Sequence, residues 1–435
     1  MKKSLGGAIG AVVASIGLLA ASLPAGAASF KIDTIMKNDL NLKHLPSATL
    51  TMGGSSFDGP LVQAAETQWN TATGKAPFSS YAVTKSGTGR QGAITGSYTI
   101  GFSDFPLNQG GDCDLGGSPV QPHGSTCSSY TNATQTLANY VQVPVVLGGV
   151  GIIYHFGTGI SGSTSALIRK YPITFDGKTL GQIFAGKITN WDNAAIAKDN
   201  PKLVVKGKDL LPNLPIVVES RTSGSGTTFG FKDYLSRVDV ADFPAPDSAA
   251  FTAAAATNAN SGALAAAVST TNGSIGYVEY GYAVANGLPT ASLINASKKT
   301  VAMSEAGIVE AATVGLKAIT ASNNSTCKPL GGFSPANIKC FSIENQTGPT
   351  VYPIALFSFA IVPKVQTDQN TGIAVVKFLD YLTHQGGGTS KSNTFGQDLA
   401  DDNGYAPLPA TMQTLARTLI SSVTYGGHPI LSATN

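Results

Sequence analysis

Residues 217–238 read VVESRTSGSGTTFGFKDYLSRV. An apolar, β-branched start leads into a turn of Gly, Ser and Thr, and apolar residues at helical spacing follow. This pattern predicts a strand, a tight turn and a helix. Such a turn leaves free backbone N–H groups at the positive end of the helix dipole, and Arg221 stands just before it. The stretch therefore predicts an α/β unit that is suited to holding an anion.

The same strand-turn-helix unit recurs along the chain. Residues 48–70 and 80–107 each combine an apolar strand with a Gly-rich turn. Two long apolar runs, at 141–156 and 351–363, predict fully buried strands. Repeated units of this kind predict the α/β class with mainly parallel sheets.

Three turns of small residues carry the candidate chemistry. They are Gly53-Gly54-Ser55-Ser56, Ser86-Gly87-Thr88-Gly89 and Gly224-Ser225-Gly226-Thr227. A single turn of this type is better explained by helix capping, for which Ser and Thr are good residues. Three turns together with Arg221, whose guanidinium can grip two oxygens, favour a site for a tetrahedral oxyanion.

Asp104 closes the strand at 97–104 and is the unexpected member of the set. A carboxylate repels an anion unless that anion brings a proton to donate. Monohydrogen phosphate carries such a proton and sulfate does not, so Asp104 predicts phosphate as the ligand. The alternative is an Asp that only terminates a turn.

The N-terminus and the composition indicate an exported protein. Lys2 and Lys3, an apolar stretch over 6–23 and the Ala25-Gly26-Ala27 pattern predict a signal peptide over residues 1–27, with an uncleaved membrane anchor as the alternative. The formal net charge is +3, and loss of the two lysines brings the mature chain closer to neutrality. This balance argues against nucleic-acid binding.

Four cysteines form two local pairs, Cys113 with Cys127 and Cys327 with Cys340. An even number of cysteines at such spacing in an exported chain predicts two disulfides. A zinc site is the alternative, but it needs closer pairs. The G-x-G-x-x-G match at 87–92 is too common a pattern to predict a dinucleotide cofactor. No G-x-S-x-G or H-E-x-x-H motif occurs, so we expect no enzyme, no metal and no cofactor.

The sequence resembles the phosphate-specific substrate-binding proteins of bacterial ABC transporters. Residues 217–238 are close to the R-x-D-G-S-G-T signature of that family and its following helix. Further matching stretches lie, in the family's order, at 97–107, 180–201, 273–283 and 396–409. The resemblance implies a type II periplasmic binding protein fold, with two α/β lobes, a ligand cleft between them and two chain crossings. It implies lobe I from 28–147 and 352–435, and lobe II from 148–351.

The resemblance also implies the phosphate ligands. The matching positions in lobe I are Ser56, Phe57, Ser86 and Asp104, and those in lobe II are Arg221, Ser225, Gly226 and Thr227. The family's Asp two residues after the Arg is Ser223 in this chain. We expect that this exchange leaves Arg221 less neutralised.

The implied function is capture without catalysis. A monomer would bind monohydrogen phosphate outside the inner membrane, in the periplasm or as a secreted protein, and pass it to a membrane ABC permease. Three alternatives stay open: a secreted phosphatase, a binder of another oxyanion or of an organic phosphate, and an exported scavenger that works without a transporter.

Overall fold

The computed structural model describes residues 48–73, 77–105, 107, 139–157, 160–321, 342–385 and 395–431. The predicted signal peptide and all four cysteines, with their predicted disulfides, lie outside the described residues. Among the helices that the structure describes, none has both the length and the apolar character that crossing a bilayer requires.

Short strands alternate with helices along the chain, as the sequence predicts. The strands are β1 Met52–Ser55, β2 Ala82–Thr84, β3 Ile100–Ser103, β4 Tyr140–His155, β5 Thr174–Asp176, β6 Val204–Val205, β7 Lys208–Asp209, β8 Val217–Arg221, β9 Ala256–Asn258, β10 Ser274–Glu279, β11 Ser292–Ile294, β12 Thr300–Val301, β13 Ala355–Pro363, β14 Val365–Gln366, β15 Thr424–Tyr425 and β16 His428–Pro429.

The helices connect these strands and cover them. They are α1 Gly59–Thr73, α2 Ser86–Thr95, α3 Gly162–Lys170, α4 Gly177–Phe184, α5 Ala194–Asp199, α6 Gly226–Val238, α7 Ser261–Thr270, α8 Tyr280–Ala285, α9 Glu305–Ala321, α10 Gln369–Thr383 and α11 Ala410–Ile420. Short 3₁₀ helices span Pro201–Leu203, Gly396–Leu399 and Asp401–Asn403.

The main sheet has eight strands in the order β2-β1-β3-β13-β4-β10-β8-β9. Its flanks are parallel, since β1 pairs in parallel with β2 and β3, and β8 with β9 and β10. Its centre is antiparallel, because β13 pairs antiparallel with both β3 and β4, and β4 with β10. The expectation of mainly parallel sheets therefore holds only at the flanks. The chain crosses the sheet on β4 and returns on β13, and a returning strand must run in the opposite direction.

Strand β4 joins the two halves of this sheet. Residues 140–149 pair with β13, and residues 150–155 pair with β10. Its long apolar run is buried except at the two ends, because neighbouring elements cover both faces. We call β2, β1, β3 and β13 the first sheet half, and β10, β8 and β9 the second.

Aromatic side chains fill the core beneath the second sheet half. Phe184 on α4 is 1% exposed, and its ring centroid lies 4.8 Å from those of Phe231 and Phe251. Tyr277 on β10 joins this group at 5.1 Å from Phe231. This packing fixes α4 and α6 against β10 and so positions the turn that precedes α6.

Candidate functional site

The three stretches predicted as turns lie at the junctions of strands and helices, but only the third contains a turn that leads directly into its helix. Residues 53–55 end β1, and residues 86–89 are the first turn of α2 itself. Ser56 follows β1, Ser86 is the first residue of α2, and Ser225 is the N-cap of α6. The Ser225 side chain accepts a hydrogen bond from the Thr228 backbone N–H at 3.2 Å. Ser225 therefore caps α6, which was the alternative explanation for a turn of this kind. The same turn also lies close to the other two predicted stretches.

Arg221, at the end of β8, connects these turns. It is 1% exposed, and its Nη1 donates to Ser56 Oγ at 3.0 Å and to Ser261 Oγ at 2.8 Å. Its Nη2 donates to the carbonyls of Thr84 at 3.4 Å and Ala259 at 3.2 Å. Because Ser56 and Thr84 belong to the first sheet half, this guanidinium bridges the two halves.

Two further contacts join the halves at the rim of the site. The Gly87 backbone N–H donates to the Gly224 carbonyl at 2.9 Å. Lys85 Nζ donates to the Ser223 carbonyl at 2.7 Å, and burial followed by the charge of Arg221 lowers the pKa of Lys85. The second and third turns therefore lie against each other through their main chains.

Asp104 lies within this cluster and is 2% exposed. Its backbone N–H donates to Ser86 Oγ at 3.1 Å. Its carboxyl group accepts from Ser358 Oγ at 3.1 Å and from Thr227 Oγ1 at 3.4 Å. Burial raises the pKa of Asp104 to about 7, against a hydrogen bond from Ser55 that lowers it. This carboxyl group can therefore change its protonation state near neutral pH.

Gly226, the first residue of α6, is in contact with the opposite half. A Cβ atom at this position would lie 2.3 Å from Ser86 Oγ and 2.6 Å from Asp104 Oδ2. Only a residue without a side chain allows the helix start to approach these two groups so closely.

Phe57 contributes its backbone and its ring. Its N–H donates to Ser55 Oγ at 3.0 Å, and its carbonyl accepts a short hydrogen bond from the Tyr405 hydroxyl. The ring is fully buried and lies against Gly148 in β4, where a Cβ atom would be 2.6 Å from it. The structure thus brings all eight predicted residues into one region and adds their neighbours.

Sequence reasoning missed several members of the site. They are Asp58, Ser261, Glu279, Tyr282 and Ser358. Glu279 lies in the stretch 273–283 and Asp58 directly follows Ser56 and Phe57, so both stood beside residues that had been identified. Ser261 lies in an Ala-rich segment that gave no signal.

Glu279 brings a carboxyl group close to Arg221. It is 1% exposed and accepts from Thr227 Oγ1 at 2.9 Å and from Ser261 Oγ at 3.2 Å. Burial raises the pKa of Glu279, and the charge of Arg221 opposes this rise. Ser223, which replaces the expected Asp, instead accepts from the Ala250 N–H at 3.2 Å. A carboxyl group therefore still faces Arg221, but it comes from β10.

The site holds no recognisable metal centre. Within the described ranges, His, Cys, Asp and Glu side chains form no group of three or more that could hold a metal ion. The three buried carboxyl groups of Asp58, Asp104 and Glu279 are linked through hydroxyl groups.

The comparison with protein families decides the assignment. The family model described as the PBP superfamily domain matches residues 43–385, which include both sheet halves and every residue of the site except Tyr405. This chain belongs to the PBP superfamily. The resemblance found in the sequence is thereby confirmed.

Named relatives of this PBP superfamily member carry a common description. The phosphate-binding protein PstS of Haemophilus influenzae is 28% identical over 377 residues, which cover 85% of this chain and 93% of the relative. Phosphate-binding protein PstS 3 of Mycobacterium leprae is 29% identical over 327 residues, covering 74% and 76%.

Solved structures agree on the fold. The phosphate-binding protein from Stenotrophomonas maltophilia superimposes with a TM-score of 0.56 at 20% identity, covering 85% of this chain and 93% of that one. A high-affinity periplasmic phosphate-binding protein gives the same TM-score at 18% identity and the same coverage. The predicted α/β fold of the type II periplasmic binding proteins is confirmed.

Proposed function

We propose that this protein binds inorganic phosphate, as monohydrogen phosphate, and delivers it to an ABC permease. The observation that carries this proposal is the meeting of three Gly/Ser turns, Arg221 and Asp104 in one buried cluster between the sheet halves. Turns that open helices supply backbone N–H donors, and the guanidinium supplies positive charge. The relatives named as phosphate-binding proteins support the same ligand.

The proposed ligands come from both halves. They are Ser56, Phe57, Ser86 and Asp104 on one side, and Arg221, Ser225, Gly226 and Thr227 on the other. In the structure Arg221 donates to Ser56 and Ser261 directly. A bound phosphate would take over these donors, and exclusion of water would strengthen each charge-assisted bond.

Asp104 would select phosphate over sulfate. It lies in a buried cluster with Glu279, so a fully ionised anion beside it meets unrelieved repulsion. A P–OH group can donate its proton to the ionised Asp104 carboxylate and relieve that repulsion. Sulfate has no proton to donate at neutral pH.

Phosphate capture requires no chemistry, and we propose that this protein is not an enzyme. A phosphatase would need a nucleophile with a base, or a metal. The described histidines lie in other elements: His155 ends β4, His384 packs against Phe395, and His428 lies in β16. Purified protein should leave a chromogenic phosphate monoester intact, and hydrolysis that a site substitution abolishes would restore the phosphatase alternative.

The remaining parts of the proposal concern organisation and location. We propose that residues 28–147 and 352–435 form lobe I and residues 148–351 form lobe II, with the ligand between them. The change of partner along β4, between residues 149 and 150, supports this division. We further propose a monomer outside the inner membrane, in the periplasm or secreted, after cleavage of residues 1–27.

Titration calorimetry of protein that has been stripped of anions by unfolding and refolding tests the function. We expect one-to-one binding of phosphate and arsenate and no heat with sulfate. Asp104→Asn should weaken phosphate binding about tenfold or more and admit sulfate, because the amide can donate to an ionised oxygen. Asp368→Asn, at the exposed N-cap of α10, is the matched control. Absence of phosphate binding by the unmodified protein would refute the proposal.

A further inference from the structure

The hydroxyl group of Ser358, on β13, lies between two carboxyl groups. Its Oγ is 2.8 Å from Asp58 Oδ2 and 3.1 Å from Asp104 Oδ1. Ser358 and Asp58 are fully buried, and Asp104 is 2% exposed. The first distance is normal for a hydrogen bond between oxygens, and the second is slightly longer.

A count of protons constrains this arrangement. A serine hydroxyl has one proton to donate, and an ionised carboxylate has none. If both carboxyl groups were ionised, one of the two contacts would bring together two acceptors without a proton between them. Since both contacts are buried and within hydrogen-bond distance, a proton on one of the two carboxyl groups satisfies them both.

The surroundings of Asp58 indicate that it is the protonated partner. Three tyrosines face it, but each hydroxyl donates to a backbone carbonyl of the first turn: Tyr81 to Ser55 at 2.7 Å, Tyr282 to Ser56 at 3.1 Å, and Tyr405 to Phe57. Asp58 Oδ1 is buried and has no hydrogen-bond partner among the described residues. An ionised Asp58 would therefore have lone pairs without donors.

The charges around Asp58 lead to the same conclusion. The charged groups that act on it are the carboxyl groups of Asp104 and Glu279. Burial, followed by the charge of Asp104, raises the pKa of Asp58 well above its ordinary value, whereas the pKa of Asp104 rises only to about 7. Asp104, whose pKa the charge of Arg221 lowers, is therefore the group that ionises first.

We propose that Asp58 is a protonated positioning residue that acts on the phosphate site through Ser358. The Asp58 carboxyl donates to Ser358 Oγ, so the Ser358 hydroxyl is directed at Asp104 Oδ1. Asp104 Oδ2 is then left to accept the proton of the ligand. This inference rests on the proposed phosphate site and adds to it a second acidic residue that never touches the ligand.

The test is a set of substitutions that separates a neutral Asp58 from an ionised one. Asn keeps the shape of a neutral carboxylic acid and can donate to Ser358, so Asp58→Asn should keep the Kd for phosphate at pH 7 within about threefold. Asp58→Ala removes the donor, and Ser358→Ala removes the bridge, so each should weaken binding about tenfold or more. Glu66→Gln, which alters another buried carboxyl group on α1 outside the site, is the control.

An infrared measurement reads the proton directly and needs no phosphate. The difference spectrum of unmodified protein and Asp58→Asn at pH 7 should show the loss of one protonated-carboxyl C=O band and no loss of carboxylate bands. Loss of carboxylate bands instead, or a change in Kd of more than tenfold in Asp58→Asn, would overturn the inference. If the unmodified protein bound no phosphate, the proposed function would fail while the infrared result still decided the state of Asp58.

Discussion

Gly226→Ala is expected to impair binding and leave the fold intact. The added Cβ would lie 2.3 Å from Ser86 Oγ and 2.6 Å from Asp104 Oδ2, whereas ordinary contact begins near 3.4 Å. Both groups must therefore retreat by about 1 Å, which is enough to break a directional, charge-assisted hydrogen bond. Loss of one such bond costs about 1.5–3 kcal/mol, or roughly a tenfold to 150-fold rise in the Kd for phosphate.

Calorimetric titration with phosphate measures this effect, and thermal unfolding without phosphate measures the fold. The matched control is Gly262→Ala at the second residue of α7, where the new Cβ would meet nothing closer than 3.4 Å. Alanine is the better helix former, so neither variant should lose stability through helix propensity. If Gly226→Ala bound phosphate as tightly as Gly262→Ala does, the close approach of the two halves at this helix would not matter for binding.

Three further predictions concern charge, pH and packing. Arg221→Lys should weaken phosphate binding about 100-fold, because one ammonium group cannot reproduce the two-pronged hydrogen bonding of the guanidinium. Calorimetry would refute this if Arg221→Lys lost no more affinity than Arg169→Lys, which alters an exposed arginine. Burial raises the pKa of Glu66 from 4.5 to about 7. The protonated carboxyl group therefore contributes stability that is fully present below pH 4.5 and is lost as the pH rises through 7. The free energy of unfolding of Glu66→Gln, measured in urea and compared with that of the unmodified protein, should therefore be about 1–3 kcal/mol more favourable at pH 8 than at pH 4.5. An equal difference between the two proteins at both pH values would contradict this. Phe184→Ala should cost about 3–5 kcal/mol in the same assay, while exposed Val240→Ala should cost almost nothing; a similar small loss in both would show that the aromatic group does not stabilise the fold.

Local sequence determined what could be predicted about the fold. The apolar run predicted at 141–156 is strand 140–155, because a strand buried on both faces needs apolar residues throughout. The second and third Gly/Ser stretches begin helices as expected, since small residues and N-caps act over a few positions. The first stretch mostly belongs to β1, and its helix begins only at Gly59. The antiparallel centre of the sheet was not predicted, because strand direction depends on which distant segments become neighbours.

The site shows the same division between local and distant information. Arg221 and the three turns were recognised because their chemistry lies within a short stretch. Ser358 meets Asp58 across 300 positions of the chain, and Ser261 meets Ser56 across 205. A serine in a buried strand or in an Ala-rich helix carries no local mark of such a partner. Only the folded structure shows that the Ser358 hydroxyl lies between two carboxyl groups.

Strand β4 has a mechanical consequence for how the two halves can move. Since residues 140–149 pair with β13 and residues 150–155 with β10, the crossing is a hydrogen-bonded ribbon. We therefore expect the two halves to move by rotation about this ribbon, as in hinge closure around a ligand. Gly148 stands beside the change of partner, with the rings of Phe57 and Tyr405 against it. The axis of this rotation therefore passes next to the first turn, and twisting of β4 would displace that turn directly.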